Sequence, residues 1–213
     1  MIRPRAIVYD LDGTLVDSRR DIADALNRTL SAHGREELPL ERVLPMIGDG
    51  ARALVARAFS FSPEDPAIEA PLASFGRFYA ERPCVHTTLL PGARECLALP
   101  FPSAIVTNKP RSLTMLVLAA LGVDVRVVRG GGDGPLKPDP ALVLSALTEL
   151  GVAPAEAWLV GDGPQDVLAG KAAGCTTVLV PGIAERERGL AAGPDLVLAS
   201  LGEVVRILNA AEA

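Results

Sequence analysis

Two aspartates one residue apart, Asp10 and Asp12, directly follow a short apolar run at residues 7–9. Side chains at positions i and i+2 of a strand point the same way, so both carboxylates can converge on one site as the chain leaves a strand. Ligands of open α/β sheets bind at the carboxyl ends of strands, which is where this pair lies. The pair suits a hard divalent cation such as Mg2+. It also suits a division of labour, with one carboxylate as nucleophile and the other as acid/base.

A second acidic pair, Asp162 and Asp166, follows another apolar run at residues 158–160. Proline is favoured at the first position of a helix, so Pro164 is expected to begin one with Asp166 in its first turn. Taken alone, two acids at a helix N-terminus would be read as partners of the helix dipole. If all four carboxylates share one cleft they repel one another, and a divalent cation would neutralise them.

Polar residues that suit a phosphate group lie between the two acidic pairs. Thr107 and Asn108 end the apolar run at residues 103–106, and a hydroxyl or an amide can donate hydrogen bonds to phosphate oxygens. Lys137 lies in a Gly/Pro-rich loop at residues 130–140, in a chain with 18 Arg and only three Lys. A compact ammonium fits a cramped phosphate site where a planar guanidinium would not. We interpret the other two lysines, Lys109 and Lys171, as charges on helix surfaces.

After about residue 88, strand and helix patterns alternate, which predicts an α/β fold with a parallel, doubly wound sheet. This sheet would position the residues described above. The apolar runs predict strands at residues 5–10, 103–107, 125–128, 157–161, 176–180 and 195–198. Helical periodicity predicts helices at residues 110–121, 139–150, 164–173 and 200–211.

Residues 17–84 break this rhythm, because they show no strand pattern. Helical periodicity fits residues 18–33, 40–46, 50–59 and 66–80. We therefore predict an all-helical cap domain at 17–84, inserted into a core of residues 1–16 and 85–213, with hinges near 16–18 and 83–85. In the cap, Arg52 could meet a carboxylate of the substrate, or equally lie on a solvated helix face.

Composition narrows the class of protein. The net charge is −5 and no basic run occurs, which argues against nucleic acid or an anionic membrane as a partner. No apolar stretch approaches the length of a membrane span, and the N-terminal apolar run reads as a strand and not as a signal peptide. The cysteines at 84, 96 and 175 are odd in number and lack metal-type spacing, so a reducing compartment, the cytoplasm, is expected.

Four motifs in this order resemble the haloacid dehalogenase superfamily of phosphohydrolases: DxDGT at residues 10–14, a strand ending in Thr107, the loop lysine Lys137, and GDxxxD at 161–166. The sequences VTNKP at 106–110, KPDP at 137–140 and KAAGC at 171–175 look like its phosphoglycolate phosphatase branch. The resemblance implies a Rossmann-like core of that superfamily. It also implies that the helical insertion is a C1-type cap, which closes over the active site.

The resemblance also implies a role for each motif residue. Asp10 would attack phosphorus and become an aspartyl-phosphate. Asp12 would protonate the leaving alkoxide and then deprotonate the hydrolytic water. The phosphoryl oxygens would be held by Thr107, Asn108 and Lys137. These roles agree with the physics of phosphoryl transfer, which is mostly positioning and neutralisation of oxygen charge.

The same resemblance implies a Mg2+ site. Its ligands would be Asp10, the backbone carbonyl of Asp12, Asp162 and Asp166, the last directly or through water. The chain departs from many relatives between the two later aspartates, where it reads Gly163-Pro164-Gln165 and has no serine. Both aspartates remain, so the ligand set is retained, while a serine hydroxyl near the metal is missing.

These motifs favour a Mg2+-dependent phosphatase of a small phosphomonoester, with 2-phosphoglycolate as first candidate. A β-phosphoglucomutase-like mutase is an alternative, although such mutases usually carry a Ser-Arg pair in the cap and residues 47–52 read IGDGAR. A pyrophosphatase or nucleotidase stays open, because the motifs do not read the leaving group.

Three other classes fit the sequence less well. A dehalogenase would not need Asp12, and a phosphonatase would need a cap lysine, whereas residues 17–84 contain none. A noncatalytic relative would be expected to lose a motif residue, and none is lost.

Overall fold

The computed structural model of this chain describes residues 3–180 and 186–210. Its strands are β1 (Ala6–Tyr9), β2 (Val16–Asp17), β3 (Thr88–Leu89), β4 (Ser103–Pro110), β5 (Val127–Gly131), β6 (Ala157–Gly161), β7 (Thr176–Leu179) and β8 (Leu196–Val197). Its α-helices are α1 (Arg19–Ala32), α2 (Leu40–Val43), α3 (Gly50–Phe59), α4 (Glu69–Glu81), α5 (Ala93–Leu97), α6 (Arg111–Ala120), α7 (Ala141–Leu150), α8 (Pro164–Ala173), α9 (Arg186–Ala191) and α10 (Leu201–Ala210).

Six of these strands form one parallel sheet in the order β5-β4-β1-β6-β7-β8. Strand β1 lies in the middle, and the sheet runs outward from it in both directions, as a doubly wound fold requires. The predicted α/β fold and all six predicted strands are confirmed. The short helices α5 and α9 were not predicted, because neither is long enough to show a clear period.

Alternation along the strands explains why both faces of the sheet are covered. In β1, Ile7 and Tyr9 pack into a cluster with α5 and α10, whereas Ala6 and Val8 pack into a second cluster with α7 and α8. A strand buried on both faces reads as a continuous apolar run and not as an alternating one. The neighbouring strands divide in the same way, so the ends of β1, β4 and β6 are held rigidly beside one another.

The helical periodicity of residues 17–84 is confirmed by α1 to α4 and two 3-10 helices, Leu44–Met46 and Pro66–Ile68. These elements share an apolar cluster of their own, which includes Leu26, Val55 and Phe75. Two residues of α6, Leu113 and Val117, complete that cluster, so the helical segment rests on the end of the core that carries the acidic motifs.

The connections between the helical segment and the sheet contain a feature that the sequence did not reveal. Strands β2 and β3 pair antiparallel as a two-stranded ribbon, joining the outgoing and returning chain. Just beyond it the buried carboxylate of Asp21 accepts hydrogen bonds from the backbone N–H groups of Val85, His86 and Thr87, and from the Thr87 hydroxyl at 2.6 Å. Both predicted hinge segments therefore lie next to the hydrogen bonds that tie residues 85–87 to Asp21.

The predicted boundaries also include residues 1–2, 181–185 and 211–213, which lie outside the described residues. Within the described part of the chain, no helix has both the length and the apolar character needed to cross a bilayer.

Candidate active site

Neighbouring strands bring three carboxylates to one point. Asp10 directly follows β1, Asp162 directly follows β6, and these two strands are paired in parallel. Asp166 lies in the first turn of α8, which begins at Pro164 as predicted. Each of the three residues offers an oxygen within 4.8 Å of the other two. Three of the four carboxylates of the two acidic pairs are thus brought together at the carboxyl edge of the sheet.

Two glycines make room for this cluster. A Cβ at Gly161 would lie 2.2 Å from the Cγ atom of Asp166, and a Cβ at Gly13 would lie 2.4 Å from an Asp162 oxygen. Gly13 also has φ = +92°, a conformation that glycine adopts without strain. The glycines of the DxDGT and GDxxxD motifs therefore allow the carboxylates to approach the backbone closely.

Lys137 is the cation of this cluster. Its side chain is 2% exposed, and its ammonium donates hydrogen bonds to Asp10 at 2.7 Å, Asp166 at 2.6 Å and the Val106 carbonyl at 2.6 Å. An ammonium has three N–H donors, so each has an acceptor. The loop lysine is therefore fixed against the predicted nucleophile, as its compositional rarity indicated.

The crowding of charge appears in the pKa values. Burial, opposed by Lys137 and assisted by Asp166, raises the pKa of Asp10 to about 7. Burial and the nearby Asp10 and Asp166 also hold the pKa of Asp162 well above its usual range. Burial lowers the pKa of Lys137, but attraction to its two carboxylates outweighs this and raises it overall. Burial is therefore the largest cause of both raised carboxyl pKa values, and repulsion between the carboxylates adds to it.

Asp12 faces a different environment from Asp10. Its carboxylate accepts a short hydrogen bond from the Ser18 hydroxyl and two from the Lys109 ammonium, at 3.0 and 3.1 Å. The side chain does not belong to the group formed by Asp10, Asp162 and Asp166. This separation agrees with different roles for the two aspartates of the first motif.

Lys109 was interpreted as a helix-surface charge, and that interpretation is wrong. Strand β4 extends through Pro110, so Lys109 lies in the strand and is buried, with a side chain 5% exposed. Its ammonium lies 4.3 Å from the ring centre of Tyr79 in α4. Burial lowers the pKa of Lys109, but Asp12 and Tyr79 together outweigh this effect and raise the pKa overall, so the lysine stays charged. The scarcity of lysine could have indicated this residue as it did Lys137. By contrast Lys171 is exposed.

Thr107 and Asn108 reach the same region, but in different ways. The Thr107 hydroxyl is buried and accepts a hydrogen bond from the Lys109 backbone N–H. The Asn108 amide donates to the carbonyls of Gly48 and Lys137 and accepts from the Lys137 N–H at 2.8 Å. The Asn108 side chain therefore braces the lysine loop against the helical segment, and is not directed at the carboxylates.

A cavity of about 240 Å³ opens over the carboxylate cluster. Its wall includes Asp10, Asp12 and Lys137 from the sheet side and Leu44, Ile47 and Gly48 from the helical segment. Arg52 does not line this cavity. It is exposed and donates to Glu69 at 2.7 Å and to the Pro63 carbonyl at 3.0 Å. The structure thus places Arg52 on a solvated face, the second of the two positions that its sequence context allowed.

The acidic cluster fits a hard divalent cation. Such ions take oxygen ligands, and the carboxylates of Asp10, Asp162 and Asp166 have oxygens within 4.8 Å of one another, close enough to share one ion. Burial is the main cause of the raised pKa values of Asp10 and Asp162 and neighbouring carboxylates add to it, and a dication would favour the ionised forms by supplying counter-charge. The Thr14 hydroxyl donates to Asp162 at 3.1 Å and the Gly163 N–H donates to Asp166 at 3.0 Å, so two of the carboxylates are oriented by neighbours.

Comparison with known proteins agrees with this arrangement. Residues 4–174 match the model of the haloacid dehalogenase-like hydrolases. The chain is 38% identical over 191 residues to a phosphoglycolate phosphatase of Rhodospirillum rubrum, covering 83% of this chain and 79% of the relative. It is 36% identical over 219 residues to a phosphoglycolate phosphatase of Photobacterium profundum, covering 96% of each.

A solved structure is similar over nearly the whole chain. A protein from Haemophilus somnus, described as a predicted phosphoglycolate phosphatase, superposes with a TM-score of 0.85 at 27% identity, covering 97% of this chain and 99% of the other. The likeness therefore extends through both the sheet and the helical segment.

Proposed function

The chain belongs to the haloacid dehalogenase-like hydrolase family and is a phosphoric monoester hydrolase, and from that premise we propose that it hydrolyses 2-phosphoglycolate. The reaction proceeds with Mg2+ through an aspartyl-phosphate on Asp10. One observation carries the proposal: Asp10 accepts a hydrogen bond from the buried cation Lys137, while Asp12 is held apart from the other carboxylates. One carboxylate is thereby available as a nucleophile and the other for proton transfer.

The first half of the reaction transfers the phosphoryl group to the protein. An oxygen of Asp10 forms a bond to phosphorus as the bond from phosphorus to the ester oxygen breaks. Asp12 gives its proton to that ester oxygen, which leaves as an alcohol. Lys137 lies within hydrogen-bond distance of Asp10, so its charge offsets the negative charge that accumulates on the phosphoryl oxygens.

The second half returns the protein to its starting state. Asp12, now a carboxylate, takes a proton from a water molecule whose oxygen attacks phosphorus. The bond between Asp10 and phosphorus breaks and inorganic phosphate is released. The two hydrogen bonds from Lys109 and the one from Ser18 hold the Asp12 carboxylate in place for both transfers.

Mg2+ is the proposed cofactor, and the groups that would hold it are Asp10, the backbone carbonyl of Asp12, Asp162 and Asp166. When bound, it neutralises phosphoryl oxygens and the carboxylates themselves. The Asp12 side chain is turned toward Ser18 and Lys109, which supports the assignment of its backbone and not its carboxylate to the metal. Thr107 and Asn108 are retained as proposed phosphate partners, Asn108 through its backbone, since its amide group is already bonded.

The choice of 2-phosphoglycolate is supported by the names of the relatives and by the site. The curated relatives in Rhodospirillum rubrum and Photobacterium profundum are phosphoglycolate phosphatases. The cavity over the carboxylates suits a small ester. Residues 17–84 act as a cap that closes over this cavity, and the three unpaired cysteines agree with a cytoplasmic enzyme.

The test is phosphate release from a panel of small phosphate esters, with Mg2+ and with EDTA, for the wild type and Asp10→Asn. We expect release that needs Mg2+, disappears in the variant and is fastest with 2-phosphoglycolate. Lys171→Met, an exposed lysine, is the matched control and keeps wild-type activity. Faster turnover of a sugar phosphate, nucleotide or pyrophosphate would mean that the chain acts on that substrate, as another type of enzyme in the same family. No release from any ester would contradict the proposal.

A further inference from the structure

A second, smaller cavity of about 40 Å³ adjoins the carboxylate site on the side of the helical segment. Asp12, Ile47 and Gly48 line both cavities, so the two lie side by side with Asp12 on their common wall. The smaller cavity has apolar walls from Ile22, Leu54 and Phe75, and Tyr79 also lines it. At about 10–15 Å³ for each water-sized group, it has room for roughly three such groups. Only a short organic group fits there.

The position of Asp12 fixes which part of a substrate reaches this second cavity. A proton donor must lie within hydrogen-bond distance of the oxygen that receives the proton. With phosphorus at Asp10, the ester oxygen therefore lies at Asp12, and the carbon skeleton beyond that oxygen continues past Asp12. The smaller cavity is lined by Asp12 but not by Lys137 or the acidic cluster, so it is the space that we assign to this skeleton.

Lys109 supplies the charge of this cavity. Among the residues lining it, Lys109 and Asp12 are the charged ones. The Lys109 ammonium donates to both oxygens of Asp12, and its other neighbour on the cavity wall is Tyr79, whose ring centre lies 4.3 Å away. The ammonium is thus a buried positive charge on the cavity wall, where an anion binds more strongly than it would in water.

We infer that Lys109 is a specificity-determining residue, which binds a carboxylate on the leaving group of the substrate. The inference rests on the proposed function and names the substrate class of the same site: short monoesters with a carboxylate one carbon from the ester oxygen. Lys109 takes the part that the sequence had offered to Arg52, which is paired with Glu69 on the surface. Arg19 is the competing cation, since it lines the larger cavity, but Asp17 binds both its Nε and a terminal nitrogen.

The test compares two esters of equal length, 2-phosphoglycolate and 2-hydroxyethyl phosphate, which lacks the carboxylate. We measure kcat/KM for both on the wild type, Lys109→Met, Arg19→Met and the control Lys171→Met. For the wild type and the control, we expect a preference for the carboxylate ester on the order of 10- to 100-fold, as a charge-assisted hydrogen bond provides. In Lys109→Met the ratio falls toward one. Because both esters are measured on the same sample, a partly unfolded variant does not change the ratio.

Several results would overturn the inference. The first is an equal kcat/KM for the two esters in the wild type, a result that can be obtained without any variant. Another is a Lys109→Met enzyme that keeps its preference, or loses both esters alike, since Lys109 would then act only through Asp12. A collapse of the ratio in Arg19→Met alone would assign the carboxylate to Arg19. Failure of the proposed function has a different appearance, because no phosphate would be released from either ester.

Discussion

Replacing Lys137 by methionine tests the electrostatic core of the site. The change keeps the length of the side chain but removes the ammonium that contacts Asp10, Asp166 and the Val106 carbonyl. Removing one partner of a buried ion pair typically costs about 3–5 kcal/mol, because the remaining charge is left uncompensated. Lys137 is 2% exposed and serves two carboxylates, so we expect a loss of unfolding free energy within that range in metal-free protein near neutral pH.

The pH dependence of that loss identifies its cause. Lys137 lowers the pKa of Asp10, so its removal raises that pKa above about 7. A carboxyl whose pKa is higher in the folded than in the unfolded protein holds its proton when folded, so stability falls as pH rises between the two pKa values. The part of the deficit that comes from Asp10 should therefore grow with pH, so that the whole deficit is smaller near about pH 5 than near about pH 8.

The assay is denaturant unfolding of metal-free protein across this pH range, with Lys171→Met as control. The deficit should shrink when Mg2+ is added, because a dication supplies the missing charge. Activity should not recover with it: kcat/KM is expected to fall about 100- to 1,000-fold, the usual cost of one electrostatic contact to the transition state. A deficit that is the same at every pH would refute the reasoning, since it would point to lost packing and not to uncompensated carboxylates.

Two further predictions concern the metal site. Gly161→Ala should push Asp166 out of the carboxylate cluster, because the added Cβ would lie 2.2 Å from the Cγ atom of Asp166. The Mg2+ affinity measured by calorimetry should then fall about 10- to 100-fold, as it does for other changes that disturb the orientation of a ligand. An unchanged affinity would mean that Asp166 is not needed for metal binding. Mg2+ should bind the wild type more tightly as pH rises through about 7, because the raised pKa of Asp10 means that the metal must displace a proton at lower pH. The increase in Tm on adding Mg2+ should therefore be larger at about pH 8 than at about pH 5.5. A shift in Tm that does not depend on pH would contradict the assignment of Asp10 as a ligand.

The sequence was sufficient for the sheet and for the acidic cluster, and the physical reason is local. Residues such as Ala6 and Val8 are buried on one face of the sheet while Ile7 and Tyr9 are buried on the other, so each strand is a distinct apolar run. The motif aspartates directly follow two such runs. Once the strands are parallel and adjacent, their ends must meet, which is why Asp10, Asp162 and Asp166 were found together.

The sequence was insufficient where the position of a residue depends on contacts between distant elements. Lys109 was taken for a surface charge because nothing in its own segment shows that β4 continues to Pro110 or that Tyr79 covers it. The ribbon of β2 and β3 was missed because two-residue strands have no period to detect. Likewise the partner of Arg52 is Glu69, 17 residues away, and no local pattern could choose between solvent and substrate.

The most direct test of the central claim is to look for the phosphoryl group on Asp10. Wild-type protein and Asp12→Asn are mixed with Mg2+ and p-nitrophenyl phosphate, whose leaving group needs little protonation, then quenched in acid and analysed by peptide mass spectrometry. We expect the added mass of one phosphoryl group on Asp10, which accumulates in Asp12→Asn because hydrolysis of the intermediate lacks its base. A product burst with no modified Asp10, or a phosphoryl group on another residue, would contradict the central claim.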